Sequence, residues 1–247
     1  MINLYNGDCL EVMNDIPDDS VDMVLTDPPY GTTSCKWDSI IPFEPMWEQL
    51  KRITKKDGAI ALFGTEPFSS SLRISNLSMF KYDWTWVKSR KNGFVHAKGM
   101  PLRETEIVSV FSRGSIGRKS KLPMKYSPQG VEPFKKVRVN YVKTSSAYQG
   151  GNKIGTEYYQ EGVGYPTNLI TFKSESPKTQ VHPTQKPVAL MEYLIKTYTN
   201  EGEVVLDFTM GSGTTGVAAK NLNRSFIGIE LDEGYFNIAK DRIDLLP

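Results

Sequence analysis

The feature that most restricts how this chain can fold lies late in it. The run Val204-Val205-Leu206-Asp207-Phe208-Thr209-Met210-Gly211-Ser212-Gly213-Thr214-Thr215-Gly216 reads as a buried strand entering a glycine-rich turn that opens a helix. Glycine permits the tight turn and lets a ligand approach the backbone. The helix N-terminus offers unpaired N–H groups and partial positive charge to a carboxylate or phosphate. Glu230 lies at the end of the next apolar stretch, about twenty residues beyond the loop, where a carboxylate can accept both hydroxyls of a ribose. The glycine spacing also satisfies the dinucleotide fingerprint, so a nicotinamide-dependent (NAD) oxidoreductase has to be weighed. Such a fold begins at this unit and needs several strands after it, yet only 31 of the 247 residues follow Gly216. The rest of the sheet must therefore precede the loop. A structural turn without a ligand is the plain alternative.

What precedes the loop has the pattern of a parallel sheet. Residues 1–112 alternate apolar strand-like runs with helix-like stretches: Asp22–Thr26, Phe43–Thr54 and Gly58–Gly64, with further strands expected at Tyr82–Lys88 and Glu106–Phe111. Met46, Trp47, Leu50 and Ile53 recur at helical spacing behind Pro45, which suits a first helical turn, so this helix should bury one face. Beyond residue 178, the pattern predicts a helix at Pro187–Thr199, a strand at Glu203–Phe208, a helix at Gly213–Leu222, a strand at Ser225–Leu231 and a last helix from Asp232. The fold class read from this is α/β, a doubly wound, mostly parallel sheet.

Between these halves the chain changes character. From Ser112 to Lys178 there are eight glycines, five prolines and only short apolar runs, which reads as an irregular insertion over 113–178. Formal charge changes too: residues 1–87 carry −6, residues 88–178 carry +11, and residues 179–247 carry −3. A basic stretch interleaved with Tyr126, Phe134, Tyr141, Tyr148, Tyr158, Tyr159 and Tyr165 suits phosphate contacts and stacking on bases. A solvated basic insertion has the same composition. Lys88, Arg90, Lys91 and Lys98 could add phosphate contacts, whereas Trp84 and Trp86 are expected in the core.

Asp27-Pro28-Pro29-Tyr30 follows directly on the apolar run Met23–Thr26 and so falls at a strand's carboxyl end, where open α/β sheets collect their active sites. An exocyclic amino group on a nucleobase is a poor nucleophile, because its lone pair is delocalised into the ring. Two acceptors that hold its hydrogens can turn the lone pair towards an electrophile. The Asp27 carboxylate and the Pro28 carbonyl can supply both, Pro28 and Pro29 stiffen the turn, and Tyr30 can stack on the base. A base paired within a duplex cannot enter such a pocket, so base flipping follows from this reading. A proline-rich structural turn is the bland alternative.

Other classes are disfavoured. Cys9 and Cys35 are too few for a disulfide framework, and with His96 and His182 they show no metal-ligand spacing, so neither a disulfide nor a metal is expected. Met1–Asp8 lacks a basic start and an apolar run, and no segment approaches membrane-spanning length, so a cytoplasmic location and no membrane partner are expected.

Four blocks in this order resemble the amino-group DNA methyltransferases in their permuted β arrangement, in which the catalytic half precedes the cofactor half. They are Asn6-Gly7-Asp8-Cys9-Leu10, Thr26-Asp27-Pro28-Pro29-Tyr30-Gly31, His182-Pro183-Thr184-Gln185-Lys186-Pro187, and Val205 to Thr214 followed by Gly228-Ile229-Glu230. The match covers most of residues 1–112 and 180–247. It implies a circularly permuted, Rossmann-like fold that binds S-adenosylmethionine, with Asp27, Pro28, Pro29 and Tyr30 catalytic. Phe208, Gly211, Ser212, Gly213 and Thr214 would hold the methionine end, Glu230 the ribose, and Asp8 and Cys9 would border the adenine. Lys186 would pair with the cofactor carboxylate, although a lysine before a helix is also an ordinary solvated cap. The resemblance divides the chain into a catalytic half at 1–112, a target-recognition insertion at 113–178 and a cofactor half at 179–247, acting on double-stranded DNA.

Asp at the first tetrapeptide position is commoner in this family with adenine N6 and Ser with cytosine N4, so adenine leads and cytosine N4 is the nearest alternative. RNA or protein glutamine usually accompanies Asn there. A catalytically silent regulator that binds DNA is a further alternative. A homodimer and a separate restriction endonuclease are both left open, since no diagnostic surface and no nuclease signature is present.

Overall fold

The structure, a computed structural model, describes residues 1–32, 38–117, 120–134, 138–140, 157–159, 162–175 and 185–245. Cys35, Tyr141, Tyr148 and the block His182-Pro183-Thr184 lie outside the described residues.

In chain order the elements are β1 (Ile2–Asn6), α1 (Cys9–Val12), β2 (Val21–Thr26), α2 (Phe43–Ile53), β3 (Thr54–Gly64), α3 (Phe68–Ser75), β4 (Phe80–Asn92) and β5 (Arg103–Phe111). Short strands β6 (Glu132–Pro133), β7 (Arg138–Asn140), β8 (Glu157–Tyr159) and β9 (Gly162–Val163) follow. The chain closes with β10 (Leu169–Phe172), α4 (Val188–Tyr198), β11 (Val204–Asp207), α5 (Thr214–Asn221), β12 (Ser225–Glu230) and α6 (Glu233–Asp244).

One compact unit comprises Met1–Ser127 and Asn168–Pro247. Its eight-stranded sheet has the order β1-β12-β11-β2-β3-β5-β4-β10. All neighbours run parallel except β5, which is antiparallel to both β3 and β4. Successive residues of a strand point to opposite faces, and the two faces are covered separately. Met23, Leu25, Ala61 and Val205 pack with Leu190 and Leu194 of α4 and with Val217, Ala239 and Ile243 of α5 and α6. Val24, Ile60, Leu62 and Leu206 pack with Met46, Trp47, Leu50 and Ile53 of α2 and with Phe68 and Leu72 of α3. The expected apolar face of α2 is thus the buried one, and the sheet is doubly wound, as expected. Trp84 and Trp86 are core residues, each 3% exposed.

The second unit, Pro128–Thr167, contains two small antiparallel pairs, β6 with β9 and β7 with β8. It is narrower than the irregular stretch at 113–178. Residues 113–127 belong to the larger unit, where Lys125 reaches the buried Asp22, and β10 is the edge strand beside β4. Among the described residues, no helix is long and apolar enough to cross a membrane.

Candidate active site

The order of the sheet places its switch point between β2 and β11: the chain winds outward from β2 through β3 and from β11 through β12. Ligands of doubly wound sheets bind in the crevice at such a point, outside the carboxyl ends of the strands. Val205 faces Met23 and Leu206 faces Val24 in parallel register, so both strands end on one side. Asp27 leaves β2 there, and Phe208 leaves β11.

Side chains lock these two exits together. Thr26 Oγ1 donates to Asp207 Oδ1 at 3.0 Å and accepts from Phe208 N at 3.1 Å, while Thr209 Oγ1 donates to the Asp27 carbonyl at 3.1 Å. Asp207 is buried and also accepts from Thr215 Oγ1 at 2.5 Å and Thr209 N at 3.2 Å. Burial pushes its carboxyl up to about 7, against the pull of those donors.

The glycine-rich loop follows. Gly211 and Gly213 have φ of +51° and +78°, backbone that L side chains rarely adopt. A Cβ on Gly213 would also lie 2.8 Å from Ala239 Cβ, so the loop can pack onto α6 only without one. Arg242 of α6 donates to the carbonyl of Ser212 and to Ser212 Oγ. Glu230 ends β12 and accepts from Gly211 N at 2.8 Å and Asp232 N at 2.9 Å. Its carboxyl is raised by burial. Because β1 pairs with β12 and Gly7 N bonds the Glu230 carbonyl at 3.0 Å, Asp8 and Cys9 stand beside this carboxylate. Asp8 caps α1 through Leu10 N, and burial with the neighbouring Asp8 pushes the Cys9 thiol up to about 12, leaving it neutral.

On the β2 side, Asp38 shapes the tetrapeptide turn by accepting from three successive amides, Tyr30 N at 2.7 Å, Gly31 N at 2.8 Å and Thr32 N at 2.9 Å. Asp27 itself sits in a cluster of charges. Lys186 Nζ lies 2.5 Å from Asp27 Oδ2 and 2.8 Å from Glu106 Oε1. The Tyr30 hydroxyl donates to Asp27 Oδ1 and approaches Glu106 Oε1 at 3.1 Å, and Lys88 reaches Glu106 Oε2 at 3.3 Å. The side chains of Lys186 and Glu106 are only 8% and 7% exposed, that of Asp27 22%. Burial raises the Asp27 carboxyl even against Lys186, and Glu106 adds to the rise. For Glu106 burial acts upward too, but Lys186 and Lys88 outweigh it and hold the group below the usual carboxylate range. Burial alone would lower Lys186; its two carboxylates keep it charged and raise it. Burial, then Asp27 and Glu106, hold the Tyr30 phenol well above its ordinary value. The Tyr30 ring packs on Phe68, with centroids 5.0 Å apart.

A single cleft of about 700 Å³ joins the two sides. Asp8, Cys9, Asp27, Pro28, Pro29, Tyr30, Lys186, Phe208, Gly211, Ser212, Thr214 and Glu230 all line it, and Gly213 stands behind the wall against α6. The volume lies within the roughly 300–1,000 Å³ of small-molecule sites. Glu106, Asp38 and Arg242 were not singled out as site residues from sequence, and Lys88, read there as a phosphate contact, is instead paired with Glu106 inside the cleft. Glu106 had only one mark, a charge directly before the apolar run Ile107–Phe111, and Asp38 and Arg242 act on backbone that sequence does not bring near them.

A doubly wound sheet with a glycine-rich loop and an acidic tetrapeptide facing one cleft is the layout of an α/β protein that binds a nucleotide-like cofactor. The chain belongs to the N6/N4 DNA methylase family, whose family model, described as DNA methylase, matches residues 21–241. Similar curated proteins include the type II methyltransferases M.HpaI of Haemophilus parainfluenzae, 29% identical over 98% of this chain and 74% of its own length, and M.BglII of Bacillus subtilis, 30% identical over 96% and 67%. Among solved structures, the M1.HpyAVI complex with SAM superposes with a TM-score of 0.63 at 27% identity, covering 98% of this chain and all of that one. The cytosine-N4-specific PvuII methyltransferase, at 17% identity and a TM-score of 0.67 over 100% of this chain and 86% of that one, shares the fold.

Proposed function

We propose that this protein methylates N6 of a flipped-out adenine in duplex DNA, with S-adenosylmethionine as donor. The observation that carries the reading is that Asp27-Pro28-Pro29-Tyr30 and the loop Phe208–Thr214 open into one cleft from adjacent parallel strands. Positive-φ glycines, the start of α5 and a carboxylate turned to the loop fit the donor's amino-acid and ribose ends. When bound, S-adenosylmethionine supplies an electrophilic methyl group.

The chain's own residues do the rest. Phe208, Gly211, Ser212, Gly213 and Thr214 hold the methionine end, Glu230 the ribose, and Asp8 and Cys9 border the adenine of the cofactor. Asp27 and the Pro28 carbonyl accept the two N–H bonds of the target amino group, and Pro29 keeps the turn rigid. Tyr30 packs on the base from a ring already seated on Phe68. An ammonium has three protons, so Lys186 can bind Asp27 and Glu106 and also face the cofactor carboxylate. The adenine assignment rests on Asp in place of Ser at the first tetrapeptide position. The basic segment 113–178 serves as target-recognition region between the halves 1–112 and 179–247.

The test is to coexpress the chain with a plasmid and map modified bases by single-molecule sequencing, beside Asp27→Ala. N6-methyladenine at a defined site, absent in the variant, is expected. No mark at any site sinks the enzyme reading, and N4-methylcytosine replaces adenine by cytosine. Calorimetry against S-adenosylhomocysteine and NAD separates this cofactor from a dinucleotide.

A further inference from the structure

The loop joining β4 to β5 carries an exposed apolar tip inside a strongly basic hairpin. Residues 88–103 contain five basic and no acidic residues. Phe94 is 67% and Val95 93% exposed. The tip is nonetheless ordered by its own backbone: Gly93 adopts φ +94°, His96 N bonds the Gly93 carbonyl at 2.9 Å, and Gly99 N and Met100 N bond the His96 carbonyl at 2.9 and 3.0 Å. Two neighbouring apolar side chains are thus held out in water on a structured turn, a costly arrangement that marks an interaction surface when rimmed by polar groups. The hairpin also continues the active site. Lys88, Arg90 and Asn92 of β4 line the catalytic cleft, and Asn92 lies two residues before the tip. Lys88 belongs to the Glu106 cluster, so the strand that reaches Tyr30 and Asp27 through that cluster is the one that projects Phe94.

We infer that this tip enters the duplex beside the target, with Phe94 and Val95 taking the place vacated in the base stack while Arg90, Lys98 and Arg103 contact the flanking phosphates. The partner is duplex DNA, and the inference rests on the proposed methylation of a flipped base. Charge complementarity selects a polyanion, and an apolar wedge is what an unstacked base step accepts. A flipped base leaves behind a hole whose stacking partners have lost contact. Filling it shifts the flipping equilibrium towards the cleft, so the wedge should matter in proportion to how firmly the target is paired.

The double variant F94S/V95S changes only two mostly exposed side chains outside both core clusters, so the fold should be retained. It is compared with wild type in single-turnover methylation of two duplexes carrying the site mapped in the plasmid experiment. One duplex is fully paired and the other has an abasic position opposite the target. The variant should lose roughly 10- to 100-fold on the paired duplex, the scale of unstacking one base step. On the abasic duplex it should stay within about 3-fold of wild type, because that target needs little help to leave the stack. Equal activity of variant and wild type on the paired duplex overturns the inference, as does an equal loss on both duplexes. An equal loss accompanied by a change from dimer to monomer in sedimentation would make the tip a contact between two copies of the chain. If wild type itself methylates neither duplex, the underlying duplex reading fails; if wild type is active and the variant matches it, only the wedge fails.

Discussion

Asp27 is ringed by groups that set its charge and aim. Its carboxylate takes the Tyr30 hydroxyl on one oxygen and Lys186 on the other, and Glu106 shares both partners. In the proposed mechanism Glu106 acts through these two partners, as a positioning residue. Glu106→Gln removes a negative charge that raises the Asp27 carboxyl, so the acid limb of the kcat–pH profile should move to lower pH while kcat itself falls about 10-fold or more as Tyr30 and Lys186 lose orientation. A merely structural role would lower kcat without moving the limb. Gly213 makes a second residue-scale case. Alanine there must keep φ near +78° and place a methyl 2.8 Å from Ala239 Cβ. The expected cost is about 1–3 kcal/mol, read as a lower denaturation midpoint together with weaker cofactor binding. Glu106 was illegible as a site residue because nothing local distinguishes it; the tetrapeptide and glycine loop were legible because turn chemistry is local.

At the scale of elements, β2 and β11 are held together at both ends by acids that titrate in opposite senses. At the carboxyl end, Asp207 has a folded carboxyl pushed up to about 7 from 3.8. The folded state therefore holds a proton that the unfolded chain has released, and this contribution to stability is present below pH 3.8 and lost as pH rises towards about 7. The stability of wild type relative to Asp207→Asn should fall across that window, measured by denaturant titration at several pH values; a flat difference contradicts it. At the amino end, Asp22 accepts from Lys55 at 2.8 Å, Lys125 at 2.9 Å and Val204 N at 3.0 Å. Burial works against ionisation, but these donors prevail and depress its pKa, so its contribution is present above the unfolded value and disappears as pH falls through the folded one. Asp22→Ala should cost about 2 kcal/mol, since both lysines keep some access to water, and lower Tm by about 4–8 °C. The long periodic elements were readable, α2 and α4 above all. β1, α3 and β10 were not picked out: β1 is half-exposed along its length, α3 is eight residues with four serines, and β10 has four residues inside an irregular stretch.

For the molecule as a whole, the cleft draws its walls from residues 180 positions apart, so cofactor binding and global folding are coupled. S-adenosylhomocysteine at 100 times its Kd should stabilise the protein by about 2.7 kcal/mol and raise Tm by roughly 5–10 °C. Glu230→Ala should remove most of that shift and also lower the Tm of the free protein by about 2–8 °C, because Gly211 N and Asp232 N lose their acceptor; an undiminished shift on ligand addition would place the ribose elsewhere. Sequence alone determined the chemistry available at each strand end, because a glycine-rich turn, an N-terminal helix turn and an Asp-Pro-Pro-Tyr corner are written in consecutive residues. It also determined the order of the two motifs, since the Asp-Pro-Pro-Tyr corner at 27–30 precedes the glycine-rich loop at 208–214. Tertiary structure alone decided that β11 lies against β2, that β5 runs antiparallel and brings Glu106 to Tyr30, and that Lys186 sits between two carboxylates. Those contacts depend on strand order, register and burial, which arise from non-local packing and leave no mark in the local pattern of residues.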